Sequence, residues 1–79
     1  MELNEVFDKV KGLFVEDLGI DESKVTMEAN LEEDLEIDSL GIVEVVMAFE
    51  DEFEIEIVDD ELAYVSSVGQ AVQLLHSKI

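Results

Sequence analysis

The apolar residues near the N-terminus recur in steps of three and four, and this spacing restricts the start of the chain to one kind of structure. One face of an amphipathic helix has this period, and a strand does not. The residues concerned are Leu3, Val6, Phe7, Val10, Leu13, Phe14 and Leu18. Gly19 follows them and is typical of the position just beyond a helix C-terminus. We therefore predict a first helix over residues 3–18, in a chain whose 79 residues have room for one small domain, 1–79.

A second helix is predicted from Ser39 to about Phe53, with Asp38 as its N-cap. This helix has two apolar stripes, whereas a surface helix needs only one. The first stripe is the better core face and consists of Ile42, Val46, Phe49 and Phe53. The second stripe consists of Leu40, Val43 and Met47. Part of the second stripe is therefore expected to face solvent or a partner.

Two stretches between the predicted helices lack a helical period. Residues 20–37 predict a long loop, with a short turn near residues 22–25 and scattered apolar residues that attach it to the core. Residues 54–58 alternate acidic and apolar side chains as a strand does. Because no second convincing strand is present to pair with them, we interpret these residues as an extended connection.

The C-terminal part predicts one short helix and one longer helix. The short helix has Asp59 or Asp60 as its cap and carries Leu62 and Val65. Ser67 followed by Gln70 fits a capping box for the last helix. One face of that helix holds Val68, Ala71, Val72 and Leu75. The predicted fold class is all-α: a small four-helix bundle of three main helices and one short helix, with a long loop between the first and second helices.

The charge balance excludes several kinds of function. The chain has 22 acidic residues, four lysines and no arginine, for a net charge of −18. Nucleic-acid binding needs many basic side chains, so it is excluded, and a basic protein partner is the natural complement. The absence of cysteine excludes a disulfide framework, a thiolate metal site and a cysteine nucleophile. No apolar run reaches the roughly 20 residues of a membrane span. We expect the protein to be a monomer.

The tripeptide Asp38-Ser39-Leu40 stands where the long loop meets the second helix. By itself it has two simpler interpretations, a capping serine or the motif of Gly-Asp-Ser-Leu hydrolases. The hydrolase interpretation is disfavoured because Ile37 replaces the glycine. In addition, the single histidine, His76, lacks an acid three residues before it. We therefore predict that the protein is not an enzyme.

A longer context gives Ser39 a function. The segments Leu35–Leu40, Val43–Ile57 and Val65–Val72, together with the length, acidity and helix order, closely resemble the acyl carrier proteins. The resemblance implies that the Ser39 hydroxyl bears 4'-phosphopantetheine, with Asp38 beside it. A phosphopantetheinyl transferase would add this group from coenzyme A. The thiol of the group would then carry acyl chains as thioesters in cytoplasmic type II fatty acid synthesis, so the sulfur missing from this chain would come with the cofactor.

The resemblance also implies two surfaces. Carboxylates around the exposed apolar stripe suit transient docking to enzymes with basic patches, namely malonyl transferase, ketoacyl synthase, reductase and dehydratase. The docking residues are Leu40, Val43, Glu44, Met47, Glu50, Asp51, Glu56 and Ile57. An acyl pocket between the helices would be lined by Val46, Phe49, Ile57, Val65, Val68 and Ala71. No structural metal is expected, but weak cation sites are implied at Glu33, Asp38, Glu50, Glu54, Glu56 and Asp59.

Two alternative functions stay open at this point, and two residues depart from the family pattern. The chain could be a specialised carrier of a polyketide, peptide or lipid-modification pathway. It could also be an acidic interaction module that never receives a prosthetic group. Gly41 stands where the family often has an acid, and Val58 replaces a frequent proline. The first departure removes one charge from the docking surface, and neither affects the attachment serine.

Overall fold

The computed structural model describes residues 1–79 and is helical, with no strands. The helices are α1 (Leu3–Leu18), α2 (Ser39–Phe53), α3 (Asp59–Leu62) and α4 (Val68–Lys78), and a 3-10 turn spans Glu22–Lys24. α1 packs against both α2 and α4. The all-α prediction is therefore confirmed. None of the helices combines the length and apolar character needed to cross a lipid bilayer.

The helix ends follow the predicted capping signals. Gly19 ends α1 in the left-handed conformation, with φ at 67°, where a side chain would cause strain. At the start of α4, the Ser67 hydroxyl accepts the Gln70 N–H, and the Gln70 side chain accepts the Ser67 N–H. This reciprocal capping box satisfies N–H groups that the first turn of a helix leaves without partners.

The long loop between α1 and α2 is fixed to α4 by backbone hydrogen bonds. The N–H of Val68 donates to the Ala29 carbonyl at 3.0 Å, and the N–H of Gly69 donates to the Met27 carbonyl at 2.8 Å. The N–H groups of the first turn of α4 therefore bind the loop. The loop is also held by buried side chains, which are Val25, Ala29, Leu31, Leu35 and Ile37.

The structure corrects the prediction for α3. Its N-cap is Val58, not Asp59 or Asp60, and the helix ends at Leu62, so Val65 lies outside it. The Glu61 carboxylate closes the first turn by accepting the Val58 N–H at 3.1 Å, a bond that a proline could not make.

Lys78 at the end of α4 holds Glu61 from the other side, with its Nζ atom 2.8 Å from the Glu61 carboxylate. This hydrogen bond from Lys78, and the one from the Val58 N–H, lower the pKa of Glu61 below its ordinary value. Because the folded pKa is the lower one, the stabilisation is present at neutral pH and is lost as the pH falls through that lowered pKa. α3 is thus connected to α4 by a charged contact as well as by apolar packing.

Candidate functional site

Asp38 and Ser39 form the start of α2 as predicted. The backbone of Asp38 is extended, and its Oδ1 atom accepts the N–H of Gly41 at 2.8 Å, which confirms Asp38 as the N-cap. Ser39 is the first residue of the helix and is exposed. Its hydroxyl makes no hydrogen bond within the protein, so the oxygen is accessible for chemistry.

The residues before Ser39 explain why it points outward. Leu35 and Ile37 are buried in the core, and the exposed Glu36 between them has a left-handed backbone, with φ at 54°. The N–H of Ile37 also donates to the Leu31 carbonyl at 3.0 Å. The backbone is therefore fixed on its inner side immediately before it turns into α2. This arrangement presents Ser39 at the surface on a rigid support.

The electrostatic surroundings of Ser39 suit a phosphate ester. The N–H groups of Ser39 and Leu40 have no acceptor in the protein, because they belong to the first turn of α2. The positive end of the helix dipole lies at the same place and favours negative charge. The residues present at the start of α2 therefore fit an attached phosphodiester.

Gly41 is explained by the packing of Ile37. A Cβ atom built at Gly41 would lie 2.8 Å from the Ile37 Cγ2 atom and 3.4 Å from the Asp38 Oδ1 atom. Cγ2 is attached directly to the Cβ of a buried residue, so it cannot move aside easily. A side chain at this position would thus clash with Ile37 as it packs here.

We expect Gly41→Ala to lower the free energy of unfolding by about 1 kcal/mol, because an overpacking cost of about 1–3 kcal/mol exceeds the gain of up to about 1 kcal/mol in helix propensity. In an Ile37→Ala background the clash is removed, so the same change should become stabilising. Urea unfolding of the four proteins measures this coupling. Equal effects of Gly41→Ala in both backgrounds would contradict the proposed contact.

The second apolar stripe of α2 is exposed, as its sequence predicted. Leu40, Val43 and Met47 are 72%, 53% and 63% exposed. The predicted docking acids Glu44, Asp51 and Glu56 are also exposed. We call these residues, five on α2 and Glu56 in the connection that follows it, the α2 face. A cluster of large exposed apolar side chains on a small protein is typical of a contact surface.

Two predicted docking residues are not part of the α2 face. Ile57 is buried and lines the core, so its side chain is not part of the α2 face. Glu50 is half-buried, and its Oε2 atom accepts the Ile57 N–H at 2.9 Å. Glu50 thus fixes the connection between α2 and α3. For Ile57 the sequence left both a docking position and a pocket position open, and the burial of its side chain agrees with the pocket position.

An apolar cavity of about 30 Å³ lies between the helices. Of the predicted pocket residues, Val46, Phe49, Ile57, Val65 and Ala71 line it, together with Phe14, Leu31, Ile42, Val45, Leu62, Leu74 and Leu75. Val68 is fully buried but does not line the cavity. Ile42 and Leu74 could have been added from sequence, because each lies three or four residues from a predicted lining residue on the same helix.

The acids predicted as weak cation sites are not brought together. Glu33, Asp38, Glu50, Glu54, Glu56 and Asp59 form no group of three or more ligands that could hold a metal ion. The carboxylates of Asp38 and Glu50 accept backbone N–H groups instead. Mutual repulsion favours such separation in a chain with net charge −18. Weak cation binding to these carboxylates stays a prediction.

Comparison with known proteins defines the class to which this site belongs. Residues 8–75 match the family described as the phosphopantetheine attachment site. The chain is 46% identical over 74 residues to an acyl carrier protein of Picosynechococcus sp., covering 94% of this chain and 91% of the relative. It is 44% identical over 79 residues to an acyl carrier protein of Petrotoga mobilis, covering 100% and 93%. The class is thus that of carriers modified with phosphopantetheine.

The fold agrees with this class. The crystal structure of an acyl carrier protein from Thermotoga maritima superimposes with a TM-score of 0.85 at 31% identity, covering 99% of this chain and 91% of the other. The chain belongs to the acyl carrier protein family, whose members are non-catalytic and carry acyl groups on covalently attached 4'-phosphopantetheine. The family also implies interaction with a transferase and with synthase enzymes.

Proposed function

We propose that Ser39 is the attachment point of 4'-phosphopantetheine and that the chain carries acyl intermediates of type II fatty acid synthesis in the cytoplasm. The observation that supports this most directly is the exposed Ser39 hydroxyl on the first turn of α2, within the matched residues 8–75. The group supplies a terminal thiol, which forms thioesters with acyl chains. The domain that does this is the whole of residues 1–79.

Each part of the site has a distinct role in this proposal. Asp38 fixes the first turn of α2, so the Ser39 oxygen is held in one place for the transferase. The free N–H groups of Ser39 and Leu40 stabilise the charge of the phosphodiester. The cavity offers apolar surroundings to an acyl chain, which the highly charged exterior of the protein does not.

The α2 face is the proposed docking surface for the modifying and processing enzymes. Glu44, Asp51 and Glu56 speed the encounter with basic patches on malonyl transferase, ketoacyl synthase, reductase and dehydratase. The small apolar area of Leu40, Val43 and Met47 keeps each complex short-lived. A carrier that visits several enzymes in turn needs both properties.

Intact-mass analysis tests the attachment. Incubation with coenzyme A and a phosphopantetheinyl transferase should add one 4'-phosphopantetheinyl group and one reactive thiol to the wild-type chain. The Ser39→Ala variant should gain nothing. Ser23→Ala is the matched control, because Ser23 is also exposed and lies next to an aspartate-capped turn, and it should be modified as wild type. An unmodified wild-type chain, or a modified Ser39→Ala variant, would refute the proposal.

The pathway is tested separately with the modified protein. A fatty acid malonyl transferase should load a malonyl group onto the new thiol, as a further mass increment shows. Modification without malonyl loading would instead assign the chain to a polyketide, peptide or lipid-modification pathway. Absence of any modification would leave an acidic interaction module.

A further inference from the structure

The lining of the apolar cavity changes from half-exposed to fully buried across its length. Ile42, Leu62, Val65 and Leu74 are partly exposed. Phe14 and Leu75 are 0% and 1% exposed. The cavity therefore has an open side and a closed side, and an entering group must pass the partly exposed residues first.

The open side is the one nearer Ser39. Ile42 follows Ser39 by three residues, or about 4.5 Å along the axis of α2, whereas Phe49 lies about 15 Å along it. A groove of about 160 Å³, bordered by Asn30, Glu32, Glu33 and Ser66, also shares Leu31, Ile42 and Val65 with the cavity. The groove thus meets the cavity at Ile42, on the part of α2 nearer to Ser39, whereas Phe49 lines the cavity further along the helix.

The closed end is formed by an aromatic pair. The rings of Phe14 on α1 and Phe49 on α2 meet edge to face, with centroids 5.8 Å apart and planes at 88°. This geometry is favourable for two aromatic rings, and both residues are buried on long helices that pack together. The pair is therefore difficult to displace.

The cavity lining at the open side can move more easily. It includes Leu62 at the end of α3, which has only four residues, and Val65 in the segment after it. The cavity as it stands has room for about two water-sized groups, so a chain enters only if part of the lining moves. That movement occurs at the open side, because close-packed interiors resist displacement.

We propose that the Phe14–Phe49 pair is the floor of the acyl cavity and limits the length of acyl chain that this protein can shelter. This inference rests on the proposed attachment of acyl groups through Ser39. It makes Phe49 a residue that determines chain-length specificity, although it has no part in attachment or docking. Once a chain reaches the floor, further methylenes add no stability to the folded protein. They must then lie outside the cavity or force the helices apart.

The test uses the modified protein loaded with saturated acyl groups of increasing length, each verified by intact mass. Failure of the attachment proposal would be visible at this step, before any length comparison. Urea unfolding of each acyl form then gives its unfolding equilibrium constant. In wild type this constant should fall by up to about fourfold for each added methylene, as expected for methylene burial, and then become constant at one chain length.

Phe49→Leu should move that limiting length to longer chains by at least about one methylene. For the first chain beyond the wild-type limit, the unfolding equilibrium constant should then fall by up to about fourfold. Phe14→Leu should do the same from the other side of the pair. Phe53→Leu is the matched control, because Phe53 is a buried phenylalanine one turn further along α2 that does not line the cavity. It should destabilise every form equally and leave the limit unchanged.

Two results would overturn the proposal. One is a wild-type unfolding constant that does not depend on chain length, which would mean that the cavity does not shelter the chain. The other is a limiting length that stays the same in folded Phe49→Leu and Phe14→Leu proteins, or that moves equally in Phe53→Leu. Circular dichroism of each unloaded variant establishes that it is folded before the comparison is made.

Discussion

Gly69→Ala is expected to lower the free energy of unfolding by about 1–3 kcal/mol, although it exchanges a poor helix former for the best one. A Cβ atom at Gly69 would lie 2.7 Å from the carbonyl oxygen of Met27, which is a backbone atom. The same carbonyl accepts the Gly69 N–H at 2.8 Å. Relief of the clash therefore separates the loop from α4 and breaks this hydrogen bond, which adds about 0.5–1.5 kcal/mol to the overpacking cost.

This loss is large for a protein of this size, because one core of fewer than about 80 residues rarely supplies more than about 3–5 kcal/mol. Gly12→Ala is the matched control: Gly12 is also in a helix, but a Cβ atom there would meet no neighbouring group within 4 Å. It should raise stability by up to about 1 kcal/mol. Urea unfolding measures both variants, and a stabilising Gly69→Ala would contradict the close contact with Met27.

The consequence extends to the functional site, since the loop that Gly69 holds continues to Ser39. Ala29 is bonded to the N-terminus of α4, and Leu31 to Ser66, through backbone groups. Leu31 in turn accepts the N–H of Ile37, immediately before α2. The position of Ser39 thus depends on contacts at the start of α4, about 30 residues further along the chain.

Much of the helical structure could be predicted because its causes are local. The spacing of apolar residues and Gly19 determined α1, and Asp38 marked the start of α2. The exposed stripe on α2 was also predictable, because one helix cannot bury two stripes against the same core. Ser67 and Gln70 likewise sufficed to place the start of α4.

The features that could not be predicted depend on contacts between distant residues. The short helix α3 is held to α4 by the ion pair between Glu61 and Lys78. Glu50 is half-buried and not free on the surface because its carboxylate accepts the N–H of Ile57 from the connection after α2. The Phe14–Phe49 pair joins two helices whose relative rotation no local pattern specifies. In each case the sequence shows the residue type but not the partner.

Glu44→Lys is expected to lower kcat/KM of a malonyl transferase for the modified protein about tenfold or more at low ionic strength. Glu44 is exposed on the α2 face beside Val43, where we propose that a basic patch of the enzyme docks. Reversal of one charge there slows the encounter and places like charges against each other in the complex. Since Glu44 is exposed, the stability of the fold should change by no more than about 0.5 kcal/mol.

Two comparisons separate a local docking contact from the effect of total charge. Glu28→Lys makes the same change in net charge on the loop next to α4, away from the α2 face, and should reduce kcat/KM far less. The defect of Glu44→Lys should also shrink as salt is added, because exposed charges are screened over about 8–10 Å at physiological ionic strength. Equal defects in the two variants would show that the enzyme senses only overall charge. An unchanged kcat/KM in Glu44→Lys would exclude the α2 face as the docking surface.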